Sequence, residues 1–188
     1  MGESLYTQKM DRSKIQDLKT HFQNTHLKVF EDLNVYYWVA GGSIRDFFLG
    51  REPKDVDFYF SSSMDRRRAM HFLTENDFEF IRSYHNHDVL IKGDVRYETF
   101  HNQGDTTPKE CIENFDFTIC SCALDNKLEF SCHDDFFKDL KGLHLTRIPQ
   151  TGRPVSTTCK RLKKLLNNGY DIDRQNLIKW LSDVEKTL

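Results

Sequence analysis

The stretch VAGGSIRDFFLGREPKDVDFYF, residues 39–60, decides the reading of this chain. It begins at the end of VYYWVA (35–40), a β-rich apolar run broken by Gly41-Gly42. Ser43 can cap the short helix SIRDFFLG, which closes at Gly50. After the Pro53 turn, DVDFYF places Asp55, Asp57 and Tyr59 on one face of a strand and Val56, Phe58 and Phe60 on the other. Carboxylates at i and i+2 of a strand project together about 6–7 Å apart, so both can grip one divalent cation. A Gly-Gly-Ser turn opening a helix offers open backbone N–H groups and a positive dipole end, which suits a triphosphate. Asp-x-Asp alone describes many solvated strand faces, and Gly-Gly before a helix is ordinary turn chemistry. Together, at this spacing, they read as a place to hold an NTP with Mg²⁺.

Working outward, Ile15, Leu18, His21, Phe22, His26, Val29, Phe30 and Leu33 fall at three- and four-residue spacings. This periodicity predicts one amphipathic helix over 11–33, capped by Asp11 or Ser13. A helix over about 63–75 precedes FEFIRS, DVLIKG and VRYETFH, which read as a β-meander. FDFTICSCALD (115–125) and KLEFSC (127–132) read as two further strands hinged at Asp125-Asn126. From 134 the pattern turns helical: DDFFKDLKGL, then about 156–168, then about 174–187. The expected fold class is α+β, a mixed sheet flanked by helices. IPQTGRPVS (148–156) is the one linker candidate, dividing a domain over 1–150 from a short helical module over 151–188.

Composition bounds the rest. The 188 residues suit one soluble domain with a small appendage. Lys plus Arg total 27 against 29 acidic residues, so a pull toward nucleic acid or membrane must come from local patches. No apolar run approaches the roughly 18 residues of a membrane span, and the first residues lack a signal-peptide core. An intracellular, cytoplasmic protein without a membrane partner is expected. The five cysteines, at 111, 120, 122, 132 and 159, include no C-x-x-C pair. Reduced, mostly buried thiols are therefore expected, with Cys120 and Cys122 in the core.

The chain resembles the nucleotidyltransferase superfamily typified by DNA polymerase beta, and within it the head domain of CCA-adding enzymes and bacterial poly(A) polymerases. Their head reads approximately GG-x-V-R-D-x-L-L-G-R, a short gap, then D-x-D. Here Gly41, Gly42, Arg45, Asp46, Leu49, Gly50, Arg51, Asp55 and Asp57 stand in matching order. FDFTICSCALD is similar to the family's R-R-D-F-T-I-N-A segment, and DDFFKDLKGLHLTRI (134–148) to its D-P-F-x-G-x-x-D-L-x-x-x-x-I-R segment. The resemblance covers about residues 35–150.

The resemblance implies a magnesium-dependent enzyme that moves NMP from an NTP to an acceptor hydroxyl, releasing pyrophosphate. Asp55 and Asp57 would hold two Mg²⁺ ions, with Mn²⁺ as a substitute. Glu98, in VRYETFH, is the candidate third carboxylate for catalysis and metal binding; Asp116, matching the aspartate of R-R-D, is its rival and otherwise a nucleotide-binding residue. Gly41, Gly42, Ser43 and Arg45 would meet the triphosphate. Arg45's other reading is an ion pair with Asp46 or Glu52, and Asp46 would brace the turn. An RNA 3′ end is the acceptor expected, as in tRNA processing; a small molecule or protein side chain is the alternative, and a non-catalytic nucleotide- or RNA-binding module a third.

The departures matter as well. Asn114 and Phe115 stand where the family has two arginines, and Cys120 where it has asparagine. The E-D-x-x-R motif that reads CTP and ATP is not recognisable in 151–168; its place is taken by TTCKRLKKLLNNGY. Lys160, Arg161, Lys163 and Lys164 there form a basic helix start, with Leu162, Leu165 and Leu166 spaced to face a core. Lys160, Arg161 and Lys164 are expected to serve the nucleotide or the acceptor. No segment within these residues resembles the body and tail that grip tRNA, so a likeness to the solitary minimal nucleotidyltransferase heads of phage genomes is expected. Two patches remain. Arg66-Arg67-Arg68 is either an RNA contact or a solvated face, and His85-Asn86-His87 reads as plain loop.

Overall fold

A computed structural model describes residues 5–100, 107–148 and 155–185. The linker candidate therefore lies largely outside the described residues. Seven strands form one mixed sheet: β1 (Tyr37–Ala40), β2 (Asp55–Phe60), β3 (Glu79–Ser83), β4 (His87–Lys92), β5 (Val95–Phe100), β6 (Cys122–Asp125) and β7 (Phe130–Cys132). Their spatial order is β3-β4-β5-β2-β1-β6-β7. Only the β2–β5 pair is parallel. Seven α-helices flank it: α1 (Leu5–Asn24), α2 (Gly42–Phe48), α3 (Ser63–Glu75), α4 (Pro108–Glu113), α5 (Phe136–Gly142), α6 (Val155–Asn167) and α7 (Arg174–Glu185). The expected α+β class is the one observed.

The alternation of β2 sorts its two faces. Val56, Phe58 and Phe60 are buried in the main core with Leu18 and Phe22 of α1, Ile44 of α2, and Ala69 and Leu73 of α3. Asp55, Asp57 and Tyr59 face the other way and are only partly covered. Toward β1 and β6 that second face is closed by α4, whose Cys111 and Ile112 pack on Trp38, Ala40 and Ala123. β1 is consequently buried on both sides. A third cluster joins Phe117, Ile119 and Leu145 to Leu162 and Leu165 of α6 and to Tyr170.

Several expectations are corrected. The periodic stretch 11–33 is not one helix: α1 begins at Leu5 and ends at Asn24, and Leu27–Phe30 is a separate 3-10 turn. Thr25 Oγ1 and Thr25 N both bond the His21 carbonyl, which ends the helix. The apolar spacing survives the break because the turn keeps Leu27 and Phe30 facing the core. Strand β6 begins only at Cys122; Thr118–Cys120 is a 3-10 turn, anchored by the Thr118 hydroxyl donating to Asp139 at 2.6 Å. The N-cap of α2 is Gly41, with no side-chain cap, and Ser43 sits inside the helix. Cys111 and Cys122 are buried, whereas Cys120, Cys132 and Cys159 are partly exposed; none of the five is in a disulfide. Leu166 is 40 % exposed rather than in the core.

Candidate active site

A cleft of about 600 Å³ lies on the open half of the second sheet face, under α6. Asp55, Asp57 and Glu98 line it, as do Gly42 and Arg45 from α2 and Arg161 and Lys164 from α6. Parallel pairing of β2 with β5 puts Glu98 directly across from Asp57, and Arg96 across from Asp55. The three carboxylates that the sequence singled out therefore share one face. Burial, Glu98 and Asp55 together push the Asp57 carboxyl up to about 7, against the pull of Arg161 and Lys164. Burial also raises Glu98.

Glu98 is gripped from two sides. Its Oε1 lies 2.6 Å from Arg96 Nη2 and its Oε2 lies 3.4 Å from His87 Nε2. The His87 ring is stacked between Tyr84 and Phe100, so the residue read as plain loop belongs to the site. No signal within 83–88 marks this, because the contact depends on β4 pairing with β5. Asp116, the rival carboxylate, is 2 % exposed and accepts from Arg161 Nη1 at 2.9 Å.

The donor set fits a divalent cation in part. Asp55 and Asp57 crowd like charges on one strand face, a repulsion that a cation between them would relieve. Among the described residues no group of three or more His, Cys, Asp or Glu side chains converges as metal ligands, since Glu98 is turned to Arg96 and His87.

The glycine turn is built for close approach. Gly41 has φ +83°, and a Cβ there would stand 2.9 Å from the Phe115 ring, so only glycine fits. A side chain at Gly42 would stand against the Arg45 guanidinium at 3.5 Å and cover it from the cleft. The Ser43 hydroxyl, just behind, is buried with no hydrogen-bond partner among the described residues.

Arg45 shows both of its expected faces. It lines the cleft and is braced by Asp46 at 2.8 Å. Its Nη1 also donates to Cys120 Sγ at 3.3 Å, and its guanidinium lies 5.7 Å from the Tyr170 ring centroid. Cys120 therefore lines the cleft as well as packing on the Phe117–Ile119 cluster. Of the basic helix start, Arg161 and Lys164 face the cleft; Lys160 is exposed and does not line it. Arg66 ion-pairs with Asp88, which leaves Arg67 and Arg68 as the exposed part of that triplet.

The profile of the Gabija anti-defense 2 family matches residues 9–142 of this chain, well over half of it. The chain belongs to the Gabija anti-defense 2 family. Gabija anti-defense 2 of Bacillus phage SPbetaL7 is 31% identical over 145 residues, 75% of this chain and 35% of that protein. This member of the family thus spans about a third of its curated relative. Its fold is that of nucleotidyltransferases. A structure of a CCA-adding enzyme with CTP superposes with a TM-score of 0.67 at 16% identity, covering 93% of this chain and 46% of that one. A tRNA nucleotidyltransferase with a primer tRNA and an incoming ATP analogue gives 0.62 at 19%, over 86% and 50%. The Thermotoga maritima CCA-adding enzyme with tRNA gives 0.62 at 18%, over 92% and 42%. No described helix is long and apolar enough to cross a membrane.

Proposed function

We propose that this chain is a nucleotidyltransferase that moves NMP from an NTP, with Mg²⁺, onto an acceptor hydroxyl. The observation that carries the reading is the trio Asp55, Asp57 and Glu98 on one open sheet face, beside a glycine turn with Arg45. Asp55 and Asp57 hold the metal, which would lower the pKa of the attacking hydroxyl and neutralise the leaving pyrophosphate. Gly42 and Arg45 meet the triphosphate, Arg45 by charge-assisted hydrogen bonds. Gly41 shapes the turn and Ser43 supplies a hydroxyl behind it. Arg161 and Lys164 hold the nucleotide from α6, and Asp116 positions Arg161. Glu98, kept in place by Arg96 and His87, completes the carboxylate set and accepts the hydroxyl proton. Residues 1–150 form the catalytic unit in this reading and 151–188 a neck-like helical module.

An RNA 3′ end is the acceptor that the primer tRNA of a structural neighbour supports. A hydroxyl on a protein or small molecule is the second reading. The function is tested by incubating the protein with each of four α-³²P-NTPs, Mg²⁺ and separate RNA, protein and metabolite fractions. Label should enter one fraction, and Asp55→Ala or Asp57→Ala should retain under a tenth of it while folding normally. Full transfer by both variants, still Mg²⁺-dependent, would remove these residues from the metal site.

A further inference from the structure

The cleft is divided in charge along β2. At the Asp55 end stand Arg45, Arg51 and Lys54, with Arg161 and Lys164 above the carboxylates. At the other end, past Asp57 and Glu98, the lining is Tyr59 and Phe100. Two arginines on this side are engaged: Arg96 with Glu98, and Arg82 over the Tyr84 ring at 5.3 Å.

The aromatic end continues out of the cleft. Tyr59 stacks on Phe100 at 4.7 Å between centroids, Phe100 on His87 at 5.1 Å, and His87 on Tyr84 at 4.6 Å. The row runs about 14 Å across the sheet at one strand spacing per ring. Because each ring covers its neighbour's face, the row presents edges, and Arg82 lies over the last one. A single-strand nucleic-acid platform needs the opposite: open ring faces for bases and free cations for phosphates. Beyond Tyr84 lies the edge strand β3, exposed along its length, with Phe80 49 % and Ile81 38 % exposed. Aromatic and aliphatic side chains with an interspersed arginine are what protein interfaces use.

From this division we propose, resting on the nucleotidyl-transfer reading above, that the acceptor is a hydroxyl side chain of another protein, seated on the Tyr59–Phe100 end of the cleft with its surrounding segment on the Tyr84 row. The serine, threonine or tyrosine oxygen attacks the α-phosphorus of the NTP. An O–P bond forms, the bond from the α-phosphorus to the bridging oxygen breaks, pyrophosphate leaves, and the hydroxyl proton passes to Glu98. The cationic end binds the triphosphate in either reading; the aromatic end sets the acceptor class.

The test uses the whole chain with α-³²P-NTP and Mg²⁺, given bacterial total protein freed of nucleic acid, or total RNA with free 3′ hydroxyls. The expected label is protease-sensitive and nuclease-resistant. Tyr84→Ala, an exposed site, and Phe100→Leu, which keeps apolar volume, should each lower protein labelling at least five-fold at limiting acceptor. NTP affinity, measured by equilibrium binding with Ca²⁺ in place of Mg²⁺, should stay within two-fold of wild type. Label that is nuclease-sensitive or confined to metabolites overturns the acceptor class and leaves nucleotidyl transfer standing. Unchanged protein labelling by both variants overturns the seat. Absence of label in every fraction overturns both readings.

Discussion

At the scale of single residues, the site stores a conflict that only a ligand resolves. Asp57 sits on a partly covered strand face with Asp55 two residues away and Glu98 directly across. Its carboxyl is raised to about 7, chiefly by burial and then by those two neighbours. A carboxyl whose folded value exceeds its unfolded value contributes stability that is complete below about 3.8 and is lost as pH rises through 7. At pH 8 without a divalent cation the protein carries this cost, on the order of 4 kcal/mol before screening by the open cleft is discounted. Wild-type melting temperature should therefore fall between pH 5 and pH 8 in EDTA, and Mg²⁺ should restore several degrees at pH 8. Asp57→Asn should flatten the pH dependence and abolish the Mg²⁺ response, as read by scanning fluorimetry in both buffers. A slope identical to wild type would place the titrating group elsewhere.

At the scale of elements, the strand–turn–helix–strand unit was legible because every step has a local cause. Gly41-Gly42 breaks β1, the 2-residue period of DVDFYF sorts β2 into faces, and Ser62 caps α3 by accepting from Asp65 N. The meander of β3, β4 and β5 and the pair of C-terminal helices follow from the same periodicities. Site members that stayed hidden are those defined by partners far along the chain. Cys120 meets Arg45 from 75 residues away, and His87 meets Glu98 through strand pairing. The 3-10 turn at 118–120 was hidden for the same reason, since the Thr118–Asp139 bond forms only in the packed fold. Gly41 joins the local and distant causes. Its φ of +83° is strained for any L side chain, and a Cβ would also strike Phe115. Gly41→Ala should cost about 2 kcal/mol or more, measured by urea denaturation. Adding Phe115→Ala should recover only the contact's share and leave the dihedral cost. Full recovery in the double variant would mean that the backbone relaxes freely at this turn.

At the scale of the whole molecule, α6 is both a structural lid and one wall of the cleft. Leu162 and Leu165 are buried against Phe117, Ile119 and Leu145, so the helix is joined to the sheet domain through apolar contact. The chain returns from α6 to pair again beside α5, with Leu145 N donating to Asp171 O at 2.7 Å and Asp171 N to Leu143 O at 2.8 Å. Its cations consequently do different work, although the sequence presents them as one basic patch. Lys160 is exposed and outside the cleft, so Lys160→Gln should change neither melting temperature nor kinetics. Lys164 is exposed yet lines the cleft, and its charge reaches Asp57 and Glu98. Lys164→Gln should leave stability within about 0.5 kcal/mol while raising the KM for NTP several-fold. Arg161 pairs with a carboxylate that is only 2 % exposed. Removing its charge takes a cationic partner from the buried Asp116 and should cost about 1–3 kcal/mol, less than a fully buried pair because the arginine itself is 46 % exposed. Arg161→Gln should therefore lower the melting temperature and raise the NTP KM together. Asp116→Asn with Arg161→Gln should regain much of the stability and none of the affinity. If Arg161→Gln alone leaves the melting temperature unchanged, the pair is a surface contact, and α6 is held to the sheet by Leu162 and Leu165 alone.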